Sequence, residues 1–288
     1  MATNPPIRVP CREALGTALT PHPEGHGGQR PAPRGRRAPN VARGAPVRVL
    51  EDDPELAAEL AGPDLVDAER VAVARSLQIG TGPWPASLRG PEPGAFGFLV
   101  MEGLLGVRTE TDELHHLDVL GAGDLTRPWL RLDGATVPVG GVSVRALTPV
   151  HLAVLDGAFA RRVSPWPQVA AALMDRLVLR ARRLSYQIAV LARPRVDERL
   201  LLMLWHFADR WGRVTPDGVR LELPLAHHQL AEIVGARRPS VTTALGGLEE
   251  RGLVSRSGHY LLHGAPPRAF AELRVQAGLS PAPADPAS

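Results

Sequence analysis

Between Val47 and Asp156 the apolar positions come in short runs, FGFLVMEGLLGVRTE, ELHHLDVLGAGD, VSVRALTP and VHLAVLD, separated by glycine and proline. Runs this short, with turn residues between them, predict a small all-β barrel or sandwich rather than an α/β fold. Asp53-Pro54 reads as the start of a short helix, since Asp caps a helix N-terminus and Pro is tolerated in its first turn. From about Pro165 to Ala192 the spacing changes. Ala170, Met174, Leu177, Ala181, Leu184, Ile188 and Leu191 alternate steps of three and four, which is the heptad seam of one long helix. Arg193-Pro194 should end it, because proline lacks the N–H and restricts the residue before it.

A narrow apolar stripe suits packing against an identical helix about a two-fold axis. The alternative is that it packs on the chain's own β-domain. Arg176, Arg180, Arg182 and Arg183 lie off the seam and are expected to form a solvated, cationic outer face. The candidate dimer contacts are Met174, Leu177, Ala181, Leu184, Ile188 and Leu191.

Beyond the proline, VDERLLLMLWHFADRWG predicts a helix with Leu200, Leu204, Phe207, Ala208 and Trp211 on one face, and TPDGVRLEL a turn and a short strand. In HHQLAEIVGARRPSVTTALGGLEERGLV, Ala231 is small where two helices must approach, and Gly235 can take the left-handed conformation that ends the first. Val241 and Leu245 plug the second helix into the core. RGLVSRSGHYLLHG can form two strands joined at Ser257-Gly258, a wing. Helix, strand, helix, glycine turn, helix and wing in that order point to duplex-DNA binding, with a protein-interaction module on the same fold as the alternative.

Composition narrows the class. The 288 residues allow two domains and tails. Hydrophobic residues at 44% and charged ones at 22% are globular values, and no apolar stretch approaches the ~20 residues of a membrane span. The N-terminus lacks the apolar core of a secretory signal, so a cytoplasmic, soluble protein is expected, with no membrane partner. The lone Cys11 cannot form an internal disulfide or supply a multi-thiolate metal site. No metal and no cofactor are expected. All 33 basic residues are arginine and the net charge is only +3, so distribution says more than the total. Residues 1–45 are dense in Pro, Gly and Arg and read as a disordered basic arm, whose Arg34, Arg36 and Arg37 would touch phosphate through charge alone if they act at all. Residues 267–288 read as a flexible tail.

The block VDERLLLMLWHFADRWGRVTPDGVRLELPLAHHQLAEIVGARRPSVTTALGGLEERGLVSRSG resembles the C-terminal domain of the CRP/FNR family of regulators. Weaker similarity covers Val47 to Ala192, where the family places a cyclic-nucleotide-binding-type β-roll and a long dimer helix. The resemblance implies an α+β fold: an N-terminal jelly-roll-like β-roll over 46–160, a dimerisation helix over 161–194, and a winged helix-turn-helix over 195–266. It implies a transcription regulator, not an enzyme, with duplex DNA, a second copy of the chain and RNA polymerase as partners.

The family's recognition helix would begin near Arg237 and present Arg237, Arg238, Ser240, Thr242 and Thr243 to the major groove. Arginine bonds two acceptors on guanine, so Arg238 is the favoured base reader and a phosphate contact the alternative. His227, His228 and Gln229 open the preceding helix, where a phosphate contact and a capping role are both open. The cyclic-AMP receptor's pattern has Arg-Glu-Thr where this chain has Arg238-Pro239-Ser240, which implies a different operator. In members that bind cyclic nucleotides, Gly-Glu-Leu and a later Arg-Ser or Arg-Thr pair hold ribose and phosphate. Here GAGDLTRPWLRLDG keeps Gly123 and Asp124 but puts Arg127, Pro128 and Trp129 in that place. Cyclic AMP is therefore not expected as ligand, and Asp124, Arg127 and Trp129 mark the place of any other, unknown effector.

Overall fold

The structure is a computed structural model that describes residues 41–85, 88, 94–110, 115–127 and 141–279. Residues 1–40, with Cys11 and Arg34, Arg36 and Arg37, lie outside the described residues, as do Trp129 and everything after residue 279.

The expected α+β architecture is present. The chain opens with β1 (Val41–Arg48), α1 (Val49–Asp52), a 3-10 turn at Pro54–Ala57 and α2 (Gly62–Val71). The strands β2 (Val73–Ile79), β3 (Gly82–Pro83), β4 (Gly97–Glu102), β5 (Leu105–Glu110), β6 (His115–Leu120), β7 (Leu125–Thr126), β8 (Gly141–Ala146) and β9 (Val150–Leu155) follow. They form a five-stranded sheet in the order β1-β2-β9-β4-β7 and a four-stranded one in the order β3-β8-β5-β6, with every pairing antiparallel. Period-two alternation sorts the side chains. On β9, Val150, Leu152 and Val154 join Phe98 and Val100 of β4 and Leu105 and Leu120 of the second sheet in one core. Ala153 and Leu155 point the other way, into a second core with Leu50, Leu56, Phe159 and Leu173. The larger sheet is thus covered on both faces.

After α3 (Gly157–Val163), the long helix α4 runs Pro167–Leu191 and ends before Arg193-Pro194. Val169, Leu173, Tyr186 and Val190 are its buried stripe. The arginines expected to be solvated are mostly not: Arg176 pairs with Asp53 and Glu55, Arg180 with Asp118 and Arg183 with Asp124, all partly buried. Burial in fact pushes the Arg183 guanidinium down to about 10, with Arg210 and Arg176 adding repulsion. Asp53 likewise makes no side-chain cap; it is spent on Arg176.

The C-terminal region contains α5 (Val196–Trp211), β10 (Arg213–Thr215), β11 (Gly218–Leu221), α6 (His227–Ile233), α7 (Arg238–Glu250), β12 (Val254–Arg256), β13 (Tyr260–Leu262) and α8 (Arg268–Gln276). The order β10-β11-β13-β12 makes a four-stranded sheet. Helix α5 is buried on more than the one face expected, because Leu202, Met203, Trp205 and His206 are covered as well. Two expectations are corrected. The arm expected over 1–45 overlaps β1, which pairs with β2 through a register shift between Gly44 and Val47. The tail was placed from 267, yet α8 buries Phe270 and Leu273 and pairs Arg274 with Asp209. Among the described residues no helix is long and apolar enough to cross a membrane.

Candidate nucleic-acid interface

Helices α6 and α7 meet at Gly235. Its φ of +57° is the left-handed conformation expected of a helix stop, and Ala236 N donates to Ala231 O at 2.9 Å, closing a Schellman turn. Arg199 of α5 donates to Gly235 O at 3.2 Å, so the turn is tied to the preceding helix. In α7 the spacing 241, 244, 245, 248 puts Val241, Ala244, Leu245 and Leu248 in the core with Leu230, Ala231 and Ile233 of α6. The opposite face carries Arg237, which occupies the N-cap position, then Arg238, Ser240, Thr242 and Thr243, all exposed. Helix α7 starts at Arg238 and has Pro239 in its first turn, where a proline N–H would be unpaired anyway. The expected DNA-facing residues of this helix therefore share one solvent face.

The α6 residues divide. Gln229 Oε1 accepts from Ala226 N at 2.9 Å, so Gln229 takes the capping option. His228 is exposed and points away from the core. His227 is half-buried and bridges: its Nδ1 lies 3.0 Å from Thr242 Oγ1 and its Nε2 2.9 Å from Arg256 Nη1 in the wing. Arg256 grips Glu249 of α7 with two bonds, Nε to Oε1 at 2.6 Å and Nη2 to Oε2 at 2.9 Å. Thr242 Oγ1 donates to Arg238 O at 3.1 Å. Sequence spacing did not single out Arg256 or Glu249. Their alternating signs seven residues apart were the only available trace, and a charge pair at that distance is common on any surface.

Asp124 marked the place of a possible effector, and its surroundings are of a different kind. It is 2% exposed, and its carboxylate accepts from Gly121 N (2.8 Å), Arg183 Nη1 of α4 (2.8 Å) and Arg210 Nη2 of α5. One carboxylate thus joins the β-roll, the long helix and the first helix of the C-terminal region. Beside it a cavity of about 480 Å³ is lined by Gly123, Arg176, Arg183, Arg210 and Trp211 among others. Arg127 is half-buried at the end of β7. Further contacts hold the same regions together. Arg108 of β5 pairs with Glu232 of α6, and Leu117 and Val119 of β6 share a core with α5 and α6. Tyr186 of α4 donates to Leu202 O at 3.1 Å and stacks on His206, with ring centroids 4.7 Å apart. Among the described residues no cluster of three or more His, Cys, Asp or Glu is placed to hold a metal ion.

Residues 198–264 match the family model of the Crp-like helix-turn-helix domain. The global nitrogen regulator of Synechococcus elongatus is 31% identical over 111 residues, 38% of this chain and 50% of that one. The chain thus matches only half the length of that relative. Among solved structures, a cyclic nucleotide-binding domain containing protein from Listeria monocytogenes EGD-e aligns with a TM-score of 0.53 at 17% identity, covering 73% of this chain and 96% of that one. The structure of FixK2 from Bradyrhizobium japonicum aligns with a TM-score of 0.51 at 17% identity, covering 70% and 96%. At that identity the two structures speak for the fold alone. Residues 198–264 thus carry a Crp-like helix-turn-helix domain, and it follows a β-roll and a long helix in this chain.

Proposed function

We propose that this protein is a sequence-specific DNA-binding transcription regulator that acts as a homodimer in the cytoplasm and does not depend on cyclic AMP. The observation that carries the reading is α7: an anchored helix whose buried stripe fixes its rotation and whose free face gathers Arg237, Arg238, Ser240 and Thr243. A side chain held in register can read a base; one on a loose segment contributes charge only. Arg238 is the base reader, with Arg237 and the hydroxyls beside it on phosphate.

The dimer is supported by α4. Met174 and Ile188 are 63% and 69% exposed and Leu177 is 38% exposed, on the face away from Tyr186 and Val190. An apolar stripe on a charged, solvent-facing helix is unusual unless something covers it. A second copy of α4 offers the same stripe about a two-fold axis. Leu184 and Leu191 are half-buried within the chain itself and would contribute less.

Independence from cyclic AMP is supported by the residues present. Arg127 stands where the family's nucleotide-binding members have a ribose-binding residue, and the Asp124 carboxylate beside it already carries two guanidiniums. Calorimetry with cyclic AMP should give no heat of binding. RNA polymerase remains the partner of a regulator once bound.

The experiment is a comparison of two duplexes: the sequence that the full chain enriches from a randomised library, and the same duplex with one guanine replaced. Arg238→Ala should weaken binding to the first far more than to the second, because a bidentate arginine–guanine contact contributes roughly 1–3 kcal/mol of discrimination. Equal weakening on both would make Arg238 a phosphate contact. A protein that enriches no duplex would be a protein-interaction adaptor built on the same fold.

A further inference from the structure

The bridge at His227 has a single consistent proton arrangement. Thr242 Oγ1 donates its one proton to Arg238 O, so it can only accept from His227, and the proton on that side must sit on Nδ1. Across the ring, Arg256 has no lone pair to offer. Its Nη1 must donate, and Nε2 must therefore be bare. The arrangement exists only for the neutral ring. The rest of the guanidinium is occupied by Glu249, so Arg256 is fixed at both edges. The chain of bonds runs from the wing through the start of α6 to the first turn of α7, and returns to α7 through Glu249.

We propose that His227 is a positioning residue for the DNA-reading surface: as a neutral, Nδ1-protonated ring it ties the wing to the recognition helix, and a second proton releases that tie and lowers sequence selectivity. The inference rests on the DNA-binding reading above. It assigns Thr242 a second place in the site, since its one proton goes to Arg238 O and it has none left to donate to a base edge.

The groups facing the ring favour the neutral form. Burial holds its pKa below the usual histidine value, and Arg256 from β12 and Arg238 from α7 push the same way against the single opposing charge of Glu249. A proton added to Nε2 would point at the Arg256 N–H, donor against donor and charge against charge. Selectivity should suffer rather than bulk affinity. An extra positive charge near phosphate strengthens sequence-independent binding, while loosening α7 takes Arg238 out of register.

The test measures the affinity of the full chain for the duplex enriched by the wild-type protein and for a scrambled duplex, from neutral pH down through the histidine range. The wild-type ratio of the two should fall roughly tenfold at the acid end. His227→Gln keeps a donor and an acceptor but does not titrate, so its ratio should stay flat over the same range. Thr242→Val should lower the ratio already at neutral pH, and Thr242→Ser should restore it. A Gln variant that tracks the wild-type pH profile, or a Val variant with an unchanged ratio, overturns the inference while leaving DNA binding intact. A wild-type protein that enriches no duplex overturns both together.

Discussion

Replacing Asp124 by asparagine should cost the folded chain several kcal/mol although the change is isosteric. The carboxylate spends Oδ1 on Arg183 and Oδ2 on both Gly121 N and Arg210, so every partner is a donor. An amide offers only one oxygen. Whichever way it is turned, its NH₂ faces a donor, and both guanidiniums lose their shared counter-charge. Arg210 is 8% and Arg183 19% exposed at the side chain, too little for water to replace the lost partner fully. Breaking a buried pair by removing one member costs about 3–5 kcal/mol, against a total stability of about 5–15 kcal/mol for an ordinary protein. Urea unfolding of the full chain at neutral pH, followed by the fluorescence of its tryptophans, Trp211 beside Arg210 among them, reads the difference. Repeating it in Arg183→Met and Arg210→Met backgrounds gives the coupling of each pair. A loss under about 1 kcal/mol, the worth of an exposed ion pair, would refute the assignment of Asp124 as the link between the three regions.

Ile188→Glu should leave the β-roll folded and give monomers in sedimentation, whereas a variant still dimeric would move the interface off this stripe. His206 is buried against Tyr186 with no hydrogen-bond partner for either ring nitrogen among the described residues, and burial with nearby Arg210, Arg183 and Arg274 holds its pKa well below 6.5. The unfolded chain therefore takes up the proton first: this contribution is intact above about pH 6.5 and is lost as pH falls, by at most ~1.4 kcal/mol per pH unit. His206→Phe should flatten that part of the stability–pH curve, and an unchanged slope would point to other groups. Gly246 and Gly247 lie inside α7 with open space where a Cβ would stand. Gly246→Ala should raise stability in thermal unfolding by about 0.5–1 kcal/mol, and a loss would mean that the glycine serves the folded chain in some way beyond its helix.

Local periodicity carried much of this. VHLAVLD announces β9 because alternate residues feed two different cores, and the α7 stripe is visible because 241, 244, 245 and 248 need only a helix to meet. What stayed hidden depends on distance along the chain. The carboxylates that claim Arg176, Arg180 and Arg183 come from Asp53, Asp118 and Asp124, 123, 62 and 59 residues away, so the arginines looked like a solvated face. The strand VARGAPVR contains glycine and proline and reads as arm until β2 supplies its partner. Helix α8 is short, and contacts distant in sequence, Tyr186 and Trp205 around Phe270 and Asp209 on Arg274, hold it in place. At the site the exposed positions of α7 proposed to face DNA were legible as a helix face. The bonds that engage Thr242 and His227 were not, since they need the wing folded back.

We propose that α7 of a two-fold dimer reads duplex DNA. Enrichment of bound duplexes from a randomised library by the full chain, followed by sequencing, tests it most directly. The expected result is an inverted repeat with a guanine in each half-site and half-sites about 10–10.5 base pairs apart centre to centre, the spacing that two recognition helices impose on successive major grooves. Recovery of the starting library unchanged, or of a single unsymmetrical site bound by a monomer, would contradict it.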